Sequence, residues 1–130
     1  MLNKVIFAID NNTDLHTVSK FLSHVDKLVA MGKVKGPFVQ CIGSYNGELE
    51  TSYMADERDF INFIKHSGYV DNQESVLYIP GDVRQPCILV FTNGSNTLSL
   101  GAMEQIPAIE AMACHSWTYV IETGSYFTTK

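Results

Sequence analysis

The feature that most constrains the fold of this sequence is the dipeptide Asn46-Gly47, set between two runs of strand character within residues 38–55. Both residues tolerate the positive φ of a type I′ turn, whose twist matches that of paired strands, so the runs read as a tight antiparallel hairpin. Upstream, Val5, Phe7 and Ile9 alternate with Lys4, Ile6 and Ala8, the pattern of a strand buried largely on both faces. Asn11, Asn12, Thr13 and Asp14 supply turn and N-cap chemistry. Leu15, Val18, Phe21, Leu22, Val25, Leu28 and Val29 then recur at helical spacing, one apolar stripe ending near Gly32.

Downstream of the hairpin, Asp56 is placed to cap a second helix. Phe60, Phe63 and Ile64 form its buried side and Gly68 its stop. Residues 75–79 return to strand, and 80–86 form a Pro- and Gly-containing loop. The run 87–92 is strand again, followed by a turn at Asn93-Gly94. Residues 97–103 read as one returning strand, 107–114 as a short helix and 117–122 as a last strand. The order strand, helix, strand, strand, helix, strand is that of a ferredoxin-like α+β sandwich, with two main helices on an antiparallel sheet and extra C-terminal strands. The sheet's second face then needs cover, either from association into a cyclic homo-oligomer or from those C-terminal strands. A length of 130 residues suits a single domain, 1–130, around one core.

Composition narrows the function classes. A formal net charge of -5 is wrong for a sequence-independent nucleic-acid binder, which needs clustered Lys and Arg against phosphate, and it suits a cationic small molecule better. The apolar run near the N-terminus is too short for a signal peptide or membrane span. Cys41, Cys87 and Cys114 are odd in number and widely spaced, as expected of buried thiols in a reducing cytoplasm. No CxxC, HExxH or GxSxG pattern occurs, and His16, His24, His66 and His115 are scattered, so no metal or bound cofactor is expected. Cys114 and His115 are adjacent, but neighbouring side chains usually point apart, and a core cysteine beside a polar residue is the simpler reading.

By alternation, Glu48, Glu50 and Ser52 share one face of the second hairpin strand, and Leu49, Thr51 and Tyr53 share the other. From spacing alone, the two carboxylates and the hydroxyl read first as a solvated strand face. Gln73, Glu74 and Ser75 likewise merely begin a strand. Taken together, however, Gly43-x-Tyr45-x-Gly47-x-x-Glu50-x-Ser52, then Gln73-Glu74-Ser75-Val76-Leu77, then Cys87-Ile88-Leu89-Val90-Phe91 with a turn and Gly101, resemble the phage S-adenosylmethionine lyase family, formerly called hydrolases. The resemblance covers the middle and later half of the chain.

What the resemblance implies is a homotrimer of ferredoxin-like, PII-like subunits with sites between neighbours. Such an enzyme depletes S-adenosylmethionine in the cytoplasm of an infected bacterium and so serves anti-restriction. Its products would be methylthioadenosine and homoserine lactone, with S-adenosylmethionine the substrate and no cofactor. On this reading Glu50 and Glu74 are the catalytic candidates, and Tyr45, Ser52, Gln73 and Ser44 bind substrate. The sulfonium is already a good leaving group and the substrate's own carboxylate can close the lactone, so the absence of a nucleophile motif fits. A hydrolase using water, a non-enzymatic PII-like nucleotide sensor, and an anti-restriction protein that blocks a host enzyme remain open alternatives.

Overall fold

The computed structural model describes residues 3–8, 15–45, 48–67, 75–82, 84–91 and 97–129. Among the described residues nine strands and three helices follow one another: β1 Lys4–Ala8, α1 Leu15–Ala30, β2 Val39–Tyr45, β3 Glu48–Asp56, α2 Glu57–Ser67, β4 Ser75–Ile79, β5 Cys87–Phe91, β6 Thr97–Gly101, β7 Met103–Ile106, α3 Ala108–Ala111, β8 Ser116–Val120 and β9 Ser125–Thr129. The strands form one antiparallel sheet in the order β6-β5-β4-β1-β3-β2-β8-β9-β7. The hairpin is as the sequence requires, with Tyr45 opposite Glu48. Residues 46–47 themselves lie outside the described residues, as do Ile9, the capping run 11–14, Gly68 and Asn93-Gly94.

Side-chain alternation divides the sheet into two faces. On one face α1 and α2 pack, and Val5, Phe7, Tyr53, Ala55 and Val76 from the sheet meet Phe21, Val25 and Leu28 of α1 and Phe60 and Phe63 of α2. The rings interlock, Phe21 lying 4.4 Å from Tyr53 and Phe7 5.0 Å from Phe60 between centroids. Burying each such side chain contributes roughly 1.5–3 kcal/mol. The stripe on α1 is narrower than its sequence suggests, since Leu22 and Val29 are exposed. Asp56 ends β3 and gives its carboxylate to Lys4 at 2.9 Å, while the Glu57 N–H that opens α2 donates to the Asn3 carbonyl. Buried Asp59 of α2 accepts from the N–H groups of Lys35 and Gly36, both at 2.9 Å, and pins the connection from α1 into β2.

The second face departs from the expected open sandwich. Residues 97–103 are not one strand. Gly101 has φ 115°, a left-handed value suited to glycine, and after Ala102 the chain leaves β6 at one end of the sheet and enters β7 at the other. Two strands joined by a single residue cannot sit at opposite ends of a flat sheet, so the sheet curls barrel-like until its ends meet. Met103 of β7 accordingly packs against the cluster of Ile6, Leu77 and Cys87, and its backbone hydrogen-bonds the Cys87 thiol. The sequence predicts an α+β chain on an antiparallel sheet, and that is what stands; the sheet is barrel-like, and its C-terminal strands help enclose the second face. The helix expected over 107–114 contracts to the four residues of α3, and the strand β9, not expected from sequence, follows a turn closed by Gly124 with φ 68°. Among the described residues no helix is long and apolar enough to cross a membrane.

Candidate active site

Along the inner face of β3, polarity and burial change step by step. Glu48 beside the turn is exposed, Glu50 is half-buried, Ser52 is buried to 1% exposure, Met54 joins the apolar cluster, and Asp56 pairs with Lys4. The strand register extends each position into a row of side chains on the same face. Ser52 stands opposite Cys41, which stands opposite Val120 and then Ser125. Glu50 stands opposite Gly43, then Thr118, then Phe127. Thus a polar patch of Glu50, Ser52 and Thr118 adjoins the apolar cluster of Ile6, Leu77 and Cys87.

Its electrostatics follow from desolvation. Burial pushes the Glu50 carboxyl above its ordinary value of 4.5, because the partly dry face disfavours the anion. Among the described residues no Lys, Arg or His forms an ion pair with Glu50, whereas the carboxylates of Asp56 and Asp82 are paired with Lys4 and Arg84. The Ser52 hydroxyl oxygen is buried without a hydrogen-bond partner. Burial also pushes the Cys41 thiol up to about 11, so at neutral pH it is an un-ionised thiol and a poor nucleophile. Cys114 donates its S–H to the Glu110 carbonyl at 3.3 Å, a contact within one helical turn. Among the described residues no three His, Cys, Asp or Glu side chains gather as a metal site would need.

The structure brings Glu50 and Ser52 together on the inner face. Tyr45, of which the backbone alone is described, ends β2 opposite Glu48 and Ser116. Ser44 is buried on the opposite face, paired with Leu49 and Trp117. Gln73 and Glu74 lie outside the described residues, and of Ser75 the strand pairing with Phe91 is described. Thr118, 5% exposed, is absent from the sequence-derived set. Its alternation between Trp117 and Tyr119 marks it as facing away from the aromatic side, but only the long-range pairing of β2 with β8 sets it beside Gly43.

A half-dry carboxylate with hydroxyls close by is suited to holding and orienting a cation. Beside it the Ser52 hydroxyl has no hydrogen-bonded base and the neighbouring Cys41 thiol is un-ionised, so neither is activated for covalent catalysis. Residues 8–130 match the model of the S-Adenosylmethionine lyase family. No curated protein matches the chain.

Proposed function

This chain belongs to the S-adenosylmethionine lyase family and is an S-adenosylmethionine lyase; from that premise we propose that it converts S-adenosylmethionine to methylthioadenosine and homoserine lactone. The substrate carboxylate attacks its own γ-carbon, the carbon–sulfur bond breaks with its electron pair going to sulfur, and the sulfonium leaves as a neutral thioether. No proton moves and no protein nucleophile is needed. The protein's task is to hold the methionine chain folded so that carboxylate and γ-carbon meet, a contribution worth about 7–11 kcal/mol in well-oriented intramolecular reactions.

The observation that carries this reading is Glu50, a carboxylate lifted by burial with no cation of the chain to answer it among the described residues. A substrate ammonium supplies that charge and, once held, fixes one end of the reacting chain. Ser52, with its unpartnered hydroxyl, offers a second contact. Tyr45 near the turn, and Glu74 and Gln73 before β4, complete the proposed set, as does Ser44 if a neighbouring subunit's site reaches the outer face. The β4-β1-β3-β2 core with its two helices is read as a ferredoxin-like, PII-like unit extended at both ends. Three such chains of 14.5 kDa form a homotrimer with sites between them. The biological role is anti-restriction by a phage enzyme acting in the host cytoplasm.

Incubation with S-adenosylmethionine in isotopically labelled water, quenched early, tests the chemistry. Methylthioadenosine with unlabelled lactone is expected first. Solvent oxygen in a homoserine hydroxyl at the earliest times means water attacks the γ-carbon and the enzyme is a hydrolase. Intact substrate after long incubation means a binding protein. Light scattering should give three times the chain mass, and a fully active monomer overturns the interfacial site.

A further inference from the structure

Gly43 is a glycine that its backbone does not require. It lies within β2, paired with Glu50 on one side and Thr118 on the other, and it is not among the left-handed glycines Gly32, Gly36, Gly101 and Gly124. Inside a strand a glycine weakens pairing and often marks the close approach of a ligand or another backbone. Here its two neighbours on the inner face are the polar ones. One step along β3, the Ser52 hydroxyl is buried without a hydrogen-bond partner among the described residues, an independent sign that this face has a polar group left to satisfy.

We propose that the row Glu50, Gly43, Thr118 seats the amino-acid end of the substrate, with Thr118 a binding residue whose hydroxyl donates to the substrate carboxylate while Glu50 takes the ammonium. This rests on the functional reading above and adds a residue and a role to it. Gly43 is buried and carries no side chain, so no side chain of its own stands between the two. The reach is suitable. Adjacent strands lie about 4.8 Å apart, so Glu50 and Thr118 flank Gly43 with their backbones about 10 Å from each other. An α-amino acid spans about 3 Å from nitrogen to carboxylate oxygen, and a hydrogen bond of about 2.8 Å at each end brings the total to about 9 Å. Held this way, one carboxylate oxygen becomes the lactone carbonyl oxygen and the other is free to attack the γ-carbon.

Two ligands separate this seat from the rest of the site. S-Adenosylhomocysteine keeps the amino-acid end and lacks the sulfonium, so it binds without being cleaved; methylthioadenosine lacks the amino-acid end. By titration calorimetry, Thr118→Val should weaken S-adenosylhomocysteine 10- to 100-fold and leave methylthioadenosine within about twofold, a range set by the loss of one hydrogen bond to a charged group. Thr118→Ser should restore the affinity. Gly43→Ala should give the same selective loss with an unchanged or higher melting temperature, since extended backbone accepts alanine. The seat is overturned if both variants keep wild-type affinity for S-adenosylhomocysteine, if they lose both ligands equally, or if Gly43→Ala lowers the melting temperature, which would mean the chain itself fills the gap. Wild-type protein that neither binds these ligands nor cleaves S-adenosylmethionine removes the functional reading and the seat with it. Variants that show no selective loss of S-adenosylhomocysteine, in a protein whose wild type cleaves S-adenosylmethionine, remove the seat alone.

Discussion

The two faces of the sheet are built from different chemistry although they share every strand. On the helix side the interior is aromatic and dry, with Phe7, Phe21, Phe60, Phe63 and Tyr53 in mutual contact. On the inner side the apolar cluster is smaller and softer, made of Ile6, Leu77 and Cys87 with Met54 and Met103, and it gives way to Ser52, Glu50 and Thr118. Alternate residues of β3 contribute to both: Tyr53 and Ala55 to the first, Glu50 and Ser52 to the second. Strand periodicity thus lets nine residues serve a stability face and a binding face at once. The two faces should therefore respond oppositely to substitution.

The largest effect is expected on the aromatic side. Phe63 is 0% exposed and touches Phe7, Phe21 and Phe38, with centroids 5.3–5.9 Å away. Phe63→Ala should cost about 3–5 kcal/mol of stability by leaving a cavity the surrounding rings cannot close. Urea unfolding measures it, and turnover per folded molecule should change little. A loss below about 1 kcal/mol would mean that this face is not the main source of stability.

Glu50→Gln inverts that pattern. Losing a charge partner from a partly dry site should lower turnover by two to four orders of magnitude, about 3–5 kcal/mol if expressed in the transition state. Stability should move the other way. Because the folded protein holds the Glu50 proton more tightly than the unfolded chain, the contribution of this group is fully present below the unfolded value of 4.5 and is lost as pH rises through the higher folded value. At neutral pH the wild type therefore carries a destabilising anion that the glutamine variant lacks, and the variant should melt higher. Substrate binding needs the anion, so wild-type kcat/KM should fall as pH drops through the raised Glu50 value, and the variant should lack that limb. A variant that melts lower and retains its acid limb would place the functional carboxylate elsewhere.

The helix-side face was the more legible of the two in sequence. The spacing of Phe21, Val25 and Leu28, the Asn46-Gly47 turn and the strand alternation of β1 are local signals, and they specify local structure. The inner face depends on pairings between distant segments. Nothing near Thr118 announces that β8 lies beside β2, and nothing in the run 97–103 except Gly101 announces a corner that carries the chain from one end of the sheet to the other. The sequence reading ends its last strand at Glu122, and nothing local to Ser125, Tyr126 and Phe127 announces that the chain turns back at Gly124 to pair β9 with both β8 and β7. Alternation grouped Glu48, Glu50 and Ser52 correctly on one face, but their graded burial comes from the curl, which sequence periodicity does not encode.

The smallest effect is expected from Glu48→Gln, and it sharpens the comparison within the inner face itself. Glu48 and Glu50 have the same charge, the same strand and the same face, and differ by one pleat. Glu48 is exposed and pairs across the hairpin with Tyr45 at the end of the strand. Glu50 sits one step further in, where water is partly excluded and burial lifts its carboxyl. In water a carboxylate gains little from a cation, because solvent and salt screen the attraction; partly dry, the same pair is held more strongly. Deleting the Glu48 charge should therefore change kcat/KM by less than about twofold and stability by no more than about 0.5 kcal/mol, the usual range for a surface substitution. If instead Glu48→Gln abolishes turnover and Glu50→Gln spares it, depth within the curled sheet is not what selects the functional carboxylate, and the site belongs at the open end beside the turn.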